Sequence, residues 1–99
     1  MSLTREEQTK TKQEFQDNLN LSGLSLEEIA KDLASQPQVI SDVLNLNTRY
    51  IENPWILKNY LERKIIEQGK TPIPFTALKG DFHNYWFLNS SIIEKEKIK

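Results

Sequence analysis

Gln36, Gln38, Ser41 and Asn45 are polar positions interleaved with the apolar residues Val39, Ile40, Val43 and Leu44. Glutamine and asparagine on the outer face of a helix can pair with the edge of adenine, and serine can donate or accept. Cations that could meet a phosphate flank them: Lys31 before, Arg49 just after and Lys58 further on. This chemistry is recognition rather than catalysis. His83 is the only histidine and there is no cysteine, and nothing sets a nucleophile beside a base. Beside Asp81 in an aromatic run, His83 reads as a surface or packing residue. Metal-ligand spacing and a glycine-rich phosphate loop are both missing. No catalytic residue, metal, cofactor or small-molecule ligand is therefore expected, and the chain is not read as an enzyme.

Charge argues in both directions. Over residues 25–48, Lys31 stands against Glu27, Glu28, Asp32 and Asp42, a net of −3. Phosphate neutralisation supplies most non-specific affinity for nucleic acid, so this balance counts against a polyanion. Over residues 49–80, Arg49, Lys58, Arg63, Lys64, Lys70 and Lys79 outweigh Glu52, Glu62 and Glu67, a net of +3. The whole chain carries −1. The pairs Glu6–Glu7 and Glu27–Glu28 suit the first turn of a helix, where they complement its dipole.

The elements that would position these groups are helices. Thr4 and Glu7 form a capping box, which starts a first helix running from about Arg5 to about Leu21, with Gly23 at its end. Phe15 and Leu19 share a face of it. Ser25 and Glu28 form a second box; Leu26, Ile29, Ala30 and Leu33 then recur at helical spacing, giving a helix over about 26–34. Ser35 and Gln36 break it. Pro37 suits the first position of a third helix, whose apolar stripe is Val39, Ile40, Val43 and Leu44 and which ends near Asn45. Asn53 and Pro54 give a cap-and-proline start to a fourth helix running to about Gln68, with Gly69 closing it. Trp55, Ile56, Leu57, Tyr60, Leu61, Ile65 and Ile66 are its apolar pattern, which makes Tyr50, Trp55 and Tyr60 core rather than pocket residues. In "KTPIPFTALKG", two prolines force an extended strap, anchored by Ile73, Phe75 and Leu78. A short last helix over residues 81–88 would turn Phe82, Trp86 and Phe87 inward. The fold expected is all-α: one bundle of four to five helices containing a helix-turn-helix, with a Pro-containing strap after the fourth.

Ninety-nine residues fit one domain. It should occupy residues 1–89, leaving 90–99, "SSIIEKEKIK", as a frayed or disordered tail. An apolar fraction of 37% beside 27% charged residues is ordinary for a soluble globular chain. Long apolar runs are absent, and "MSLTREEQ" is too polar for a signal peptide. With no cysteine to oxidise, a cytoplasmic location and no membrane partner are expected.

Residues 26–45 resemble the helix-turn-helix unit of phage-repressor-like regulators. Ala30 stands where the two helices cross, and Ile29, Leu33, Ile40 and Val43 match the apolar positions that lock the crossing. Ala34 stands at the turn position that commonly holds glycine, a departure from the pattern. Any short helical corner needs small and apolar residues at similar places, so the match is moderately specific. The whole chain also resembles a small bacterial family of unknown function, through "MSLTREEQ", the helix-turn-helix stretch, "PWILKNYLE" and "GKTPIPFTAL", over roughly residues 1–80. That resemblance implies a fold and a bacterial source, and no activity.

The expected role is DNA binding in transcription regulation. The third helix would enter the major groove, with Gln36, Gln38, Ser41 and Asn45 reading bases and Lys31, Arg49 and Lys58 contacting phosphates. A homodimer would set two such helices on a palindromic site. The alternative is a helical protein–protein interaction domain that keeps the fold without the DNA. Either way Leu33 and Ile40 belong to the core. Leu33→Asp or Ile40→Asp is expected to remove about 4 kcal/mol or more, enough to abolish folding of a domain this small. A cooperative melt near the wild-type temperature would contradict that assignment.

Overall fold

The computed structural model describes residues 4–48 and 52–76, and all structural statements concern these. They form four helices and no strand: α1 Arg5–Ser22, α2 Leu26–Asp32, α3 Pro37–Leu44 and α4 Glu52–Glu67. Arg49, Tyr50, Leu78, the aromatic stretch 81–88 and the tail 90–99 lie outside the described residues.

Both capping boxes form. The Glu7 N–H donates to Thr4 Oγ1 at 3.1 Å and the Thr4 N–H to Glu7 Oε1 at 2.9 Å. The Thr4 N–H first, and the Thr4 side chain second, hold the Glu7 carboxyl below its ordinary pKa. The Glu28 N–H donates to Ser25 Oγ at 3.1 Å, and the Ser25 N–H to Glu28 Oε1 at 3.3 Å. Pro37 opens α3 as expected, where its missing N–H leaves nothing unsatisfied.

Helix α1 ends in a single bond from the Gly23 N–H to Leu19 O at 3.2 Å, and the other three helix ends share one device. At the end of α4 the Lys70 N–H reaches back to Ile65 O at 3.1 Å and the Gly69 N–H to Ile66 O at 2.9 Å, with Gly69 at φ 78°. This paired closure absorbs carbonyls left open by the last turn. The same closure ends α2, through Ser35 N–H to Ala30 O at 2.8 Å and Ala34 N–H to Lys31 O at 3.4 Å. It ends α3 through Asn47 N–H to Asp42 O at 2.7 Å and Leu46 N–H to Val43 O at 2.9 Å. The left-handed residue is Ala34 at φ 54° in the first case and Leu46 at φ 59° in the second. Helix α2 therefore stops at Asp32, two residues short of the expected end. Ala34 is a good helix former locally, but the closure takes it out of the helix.

The start of α4 differs too. Asn53 and Pro54 are not a cap and first position but the second and third residues of the helix, which begins at Glu52. Pro54 remains harmless there, because the first-turn N–H groups have no intrahelical partner. Asn53 is buried, and its Nδ2 donates to Thr48 Oγ1 at 3.1 Å.

The core is one cluster. Helix α1 supplies Phe15, the α2–α3 pair Ile29, Ala30, Leu33, Ile40, Val43 and Leu44, and α4 Trp55, Ile56, Leu57, Tyr60 and Leu61. Packing joins α1 to α4, α2 to α3, and α3 to both α1 and α4. The buried stripe of α1 is mostly polar: Thr11, Asn18 and Ser22 accompany Phe15. Every buried side-chain nitrogen or oxygen among the described residues has a partner.

Residues 70–76 carry no helix or strand and lie along α1. Asn18 Nδ2 donates to Ile73 O at 3.0 Å, and Asn18 Oδ1 accepts the Ile73 N–H at 2.8 Å. Glu14 accepts the Thr76 N–H at 3.2 Å and its hydroxyl at 3.1 Å. Phe75 meets Phe15 edge-on, with ring centroids 5.0 Å apart. The Phe75 side chain holds this segment against Phe15. Ile73 holds it through its main chain: its side chain, expected inside, is 36% exposed.

Tyr60 is fully buried and its hydroxyl donates to Asp32 Oδ2 at 2.6 Å, tying α4 to the end of α2. Burial first, and Asp32 second, pushes the Tyr60 phenol well above its ordinary value of 10.0.

Two outcomes are expected. Ala34→Gly relieves about 1–2 kcal/mol of left-handed strain, partly offset by glycine's greater freedom when unfolded. The net gain of about 0.5–1 kcal/mol should raise Tm by about 2–8 °C. Leu46→Gly should lower Tm, because Leu46 also packs on the core. The second concerns Tyr60. A pKa raised by folding contributes stability that is complete below the unfolded value of 10.0 and is lost as pH climbs towards the folded one. Tyr60→Phe should cost about 1 kcal/mol at neutral pH for the lost bond. It should also flatten the fall in Tm above pH 10.0 relative to wild type; parallel alkaline limbs for the two proteins would contradict this.

Candidate nucleic-acid interface

Helix α3 has two unlike faces. Ile40, Val43 and Leu44 are buried, and Val39 packs against the cluster. The amide side chains of Gln38 and Asn45 are exposed, Ser41 is half-buried between them, and Gln36 is exposed at the helix start. Positions 38, 41 and 45 follow one another at three and four residues, which aligns them along one edge. All four expected base-reading residues thus lie outside the core.

Their hydrogen bonds are uneven. Gln38 Nε2 donates to Asp42 Oδ1 at 3.1 Å, across one turn. Asn45 Nδ2 donates to Ser41 O at 2.9 Å, so its nitrogen is directed back onto its own helix. Gln36 is the N-cap residue of α3, but no side chain caps that end and no acid sits in its first turn. Helices α1 and α2 each have a capping box and two first-turn acids.

The expected phosphate contacts separate. Lys31 is exposed on α2. Lys58 is inside: it is 7% exposed, its Nζ lies 2.9 Å from Glu62 Oε1, and it stands 5.5 Å from the Trp55 ring centroid and 5.9 Å from that of Phe75. Its charge is answered by a carboxylate and two ring faces, which removes it from any exposed cationic rim. The spacing of "PWILKNYLE" places Lys58 one turn before Glu62, but not beside Phe75, whose ring also meets it.

The acidic residues separate as well. Asp32 accepts from Tyr60 and lies 3.9 Å from Lys64 Nζ, so α4 answers its charge. Glu28 is held by Ser25. Asp42 accepts from Gln38. Glu27 is exposed at the start of α2. The −3 balance of residues 25–48 is therefore less concentrated on the outer edge of α3 than the sequence alone suggests. Two ties went unread there: Gln38 with Asp42, and Asn53 with Thr48, which fastens the end of the α3–α4 connection. The first had a signal, since Gln and Asp four residues apart on a helix are hydrogen-bonding neighbours.

Among the described residues no group of three or more His, Asp or Glu could hold a metal ion, and no helix is long and apolar enough to cross a membrane.

The model of the family described as "Uncharacterized protein conserved in bacteria (DUF2316)" matches residues 1–89. No curated protein and no solved structure matches the chain.

Proposed function

We infer that this chain, which belongs to the bacterial family DUF2316, is a DNA-binding protein whose α2–turn–α3 unit acts as a helix-turn-helix. One observation carries the reading. Helix α3 is pinned by three buried apolar residues while its free edge offers only hydrogen-bonding groups, Gln36, Gln38, Ser41 and Asn45. Every surface helix has a polar edge, and amides with a hydroxyl along it are the groups that a recognition helix uses to read bases. Support comes from the turn. Ala34 takes φ 54° at the place where repressor-like units commonly hold glycine, so the two helices are separated by the left-handed residue that such a turn uses.

On this reading α3 lies in the major groove, and its uncapped start offers N–H groups to a backbone phosphate. Lys31 and Arg49 contact flanking phosphates, and Lys58 does not. The role is regulation of transcription in the bacterial cytoplasm, without catalysis. The second reading, a protein-interaction domain, is favoured by one feature: Glu27 and Glu28 stand exposed at the start of α2, where a polyanion would be repelled.

Fluorescence anisotropy with random and genomic duplexes over a salt series separates the two. Binding should weaken with salt along a shallow log–log slope, and Lys31→Ala should weaken it on all sequences alike and reduce that slope by about 1. Absence of binding to any duplex at low ionic strength would leave the protein-partner reading.

A further inference from the structure

We propose that Asp42 is a positioning residue that holds the Gln38 carboxamide in one orientation and so makes Gln38 a reader of adenine in preference to guanine. This inference rests on the DNA-binding reading above. The two ends of a glutamine amide are nearly alike in shape and differ in chemistry: one donates two N–H bonds, the other only accepts. An unrestrained glutamine on a helix surface can turn either end outward. Donors alone suit the O6 and N7 acceptors of guanine, whereas one donor beside one acceptor suits N7 and N6–H of adenine.

Asp42 removes that freedom. An ionised carboxylate only accepts, so the atom 3.1 Å from its Oδ1 must be the Gln38 nitrogen. One N–H is then used within the protein. The second N–H and the acceptor oxygen remain available as the donor and acceptor that adenine requires. Asp42 is the better held of the two partners: it is half-buried while Gln38 is exposed. Its main-chain carbonyl accepts the N–H groups of Asn45 at 3.2 Å and Asn47 at 2.7 Å, which closes the helix end on which it sits. The placement also explains an acid on an edge meant for a polyanion. The repulsion is sequence-independent and the orientation is sequence-specific, so the residue exchanges general affinity for discrimination.

The test is selection from a randomised duplex pool with wild type, Gln38→Ala, Asp42→Ala and Asp42→Asn, followed by anisotropy on the selected site. The base position whose preference disappears in Gln38→Ala is the one Gln38 reads. There wild type should favour adenine over guanine by about tenfold or more. Asp42→Ala should reduce this to within about threefold, leave preferences at other positions unchanged and raise affinity for all duplexes at low salt. Asp42→Asn, which can accept or donate, should fall between them. Thermal unfolding confirms that each variant is folded. A purely electrostatic Asp42 would change overall affinity and its salt dependence without altering one base preference. The same adenine preference in Asp42→Ala as in wild type, or a guanine preference in wild type, overturns the proposal and leaves DNA binding standing. Failure of wild type and Asp42→Ala alike to bind any duplex overturns both.

Discussion

From Asn53 to Leu61 the fourth helix shows water only the edge of Asn59, and the other helices are arranged by that constraint. An isolated helix of 16 residues is marginal in water. One that carries Trp55, Ile56, Leu57, Tyr60 and Leu61 within two turns has to be enclosed. Phe15 of α1, Ile40, Val43 and Leu44 of α3, and Phe75 after α4 close around it. Each large side chain so buried contributes about 1.5–3 kcal/mol before the entropy of ordering is subtracted. Helices α2 and α3 have 7 and 8 residues, too few to persist alone. They exist as helices because the enclosure needs their apolar faces.

The angle between those two short helices is set by a conformation most residues avoid. Ala34 and Leu46 are left-handed, each at a strain of about 1–2 kcal/mol relative to glycine. For Leu46 the strain is offset by packing on the core. Ala34 is exposed and has no such compensation. What it secures is the closure of α2, with the Ser35 N–H on Ala30 O, and hence the point from which α3 departs.

Side-chain periodicity made the helices legible in the sequence, and capping chemistry made three of their four starts legible. Thr4, Ser25 and Pro37 each mark one. The fourth was misplaced because Asn53–Pro54 imitates a cap while Asn53 is in fact bonded to Thr48. The end of α2 was misplaced for a similar reason: helix propensity at Ala34 is local, and the closure that overrides it is not. Hydropathy is least informative about polar burial. Asn18 is among the most enclosed residues, yet it looks like a surface residue until the main chain of Ile73 comes back to occupy both ends of its amide. The burial of Lys58 is hidden likewise, because the Phe75 ring near it is distant along the chain. The edge of α3 was legible because it depends on one short helix alone.

That edge has consequences for how binding energy would be distributed. A reader of DNA with many exposed lysines and arginines binds every sequence and discriminates on top of that. Here Asp32 is answered by Tyr60 and Lys64, and Lys58 is answered by Glu62 and two rings. Lys58 is withdrawn into the fold and Asp32 is paired at the surface, so on the proposed reading the face offered to a duplex carries only Asp42 on α3 and is acidic at the start of α2. On the proposed DNA-binding reading, a weak electrostatic contribution leaves affinity to base contacts made by a few oriented side chains. Orientation then matters more than the number of cations, and the carboxylate beside Gln38 becomes intelligible as part of the reading surface instead of an obstacle to it.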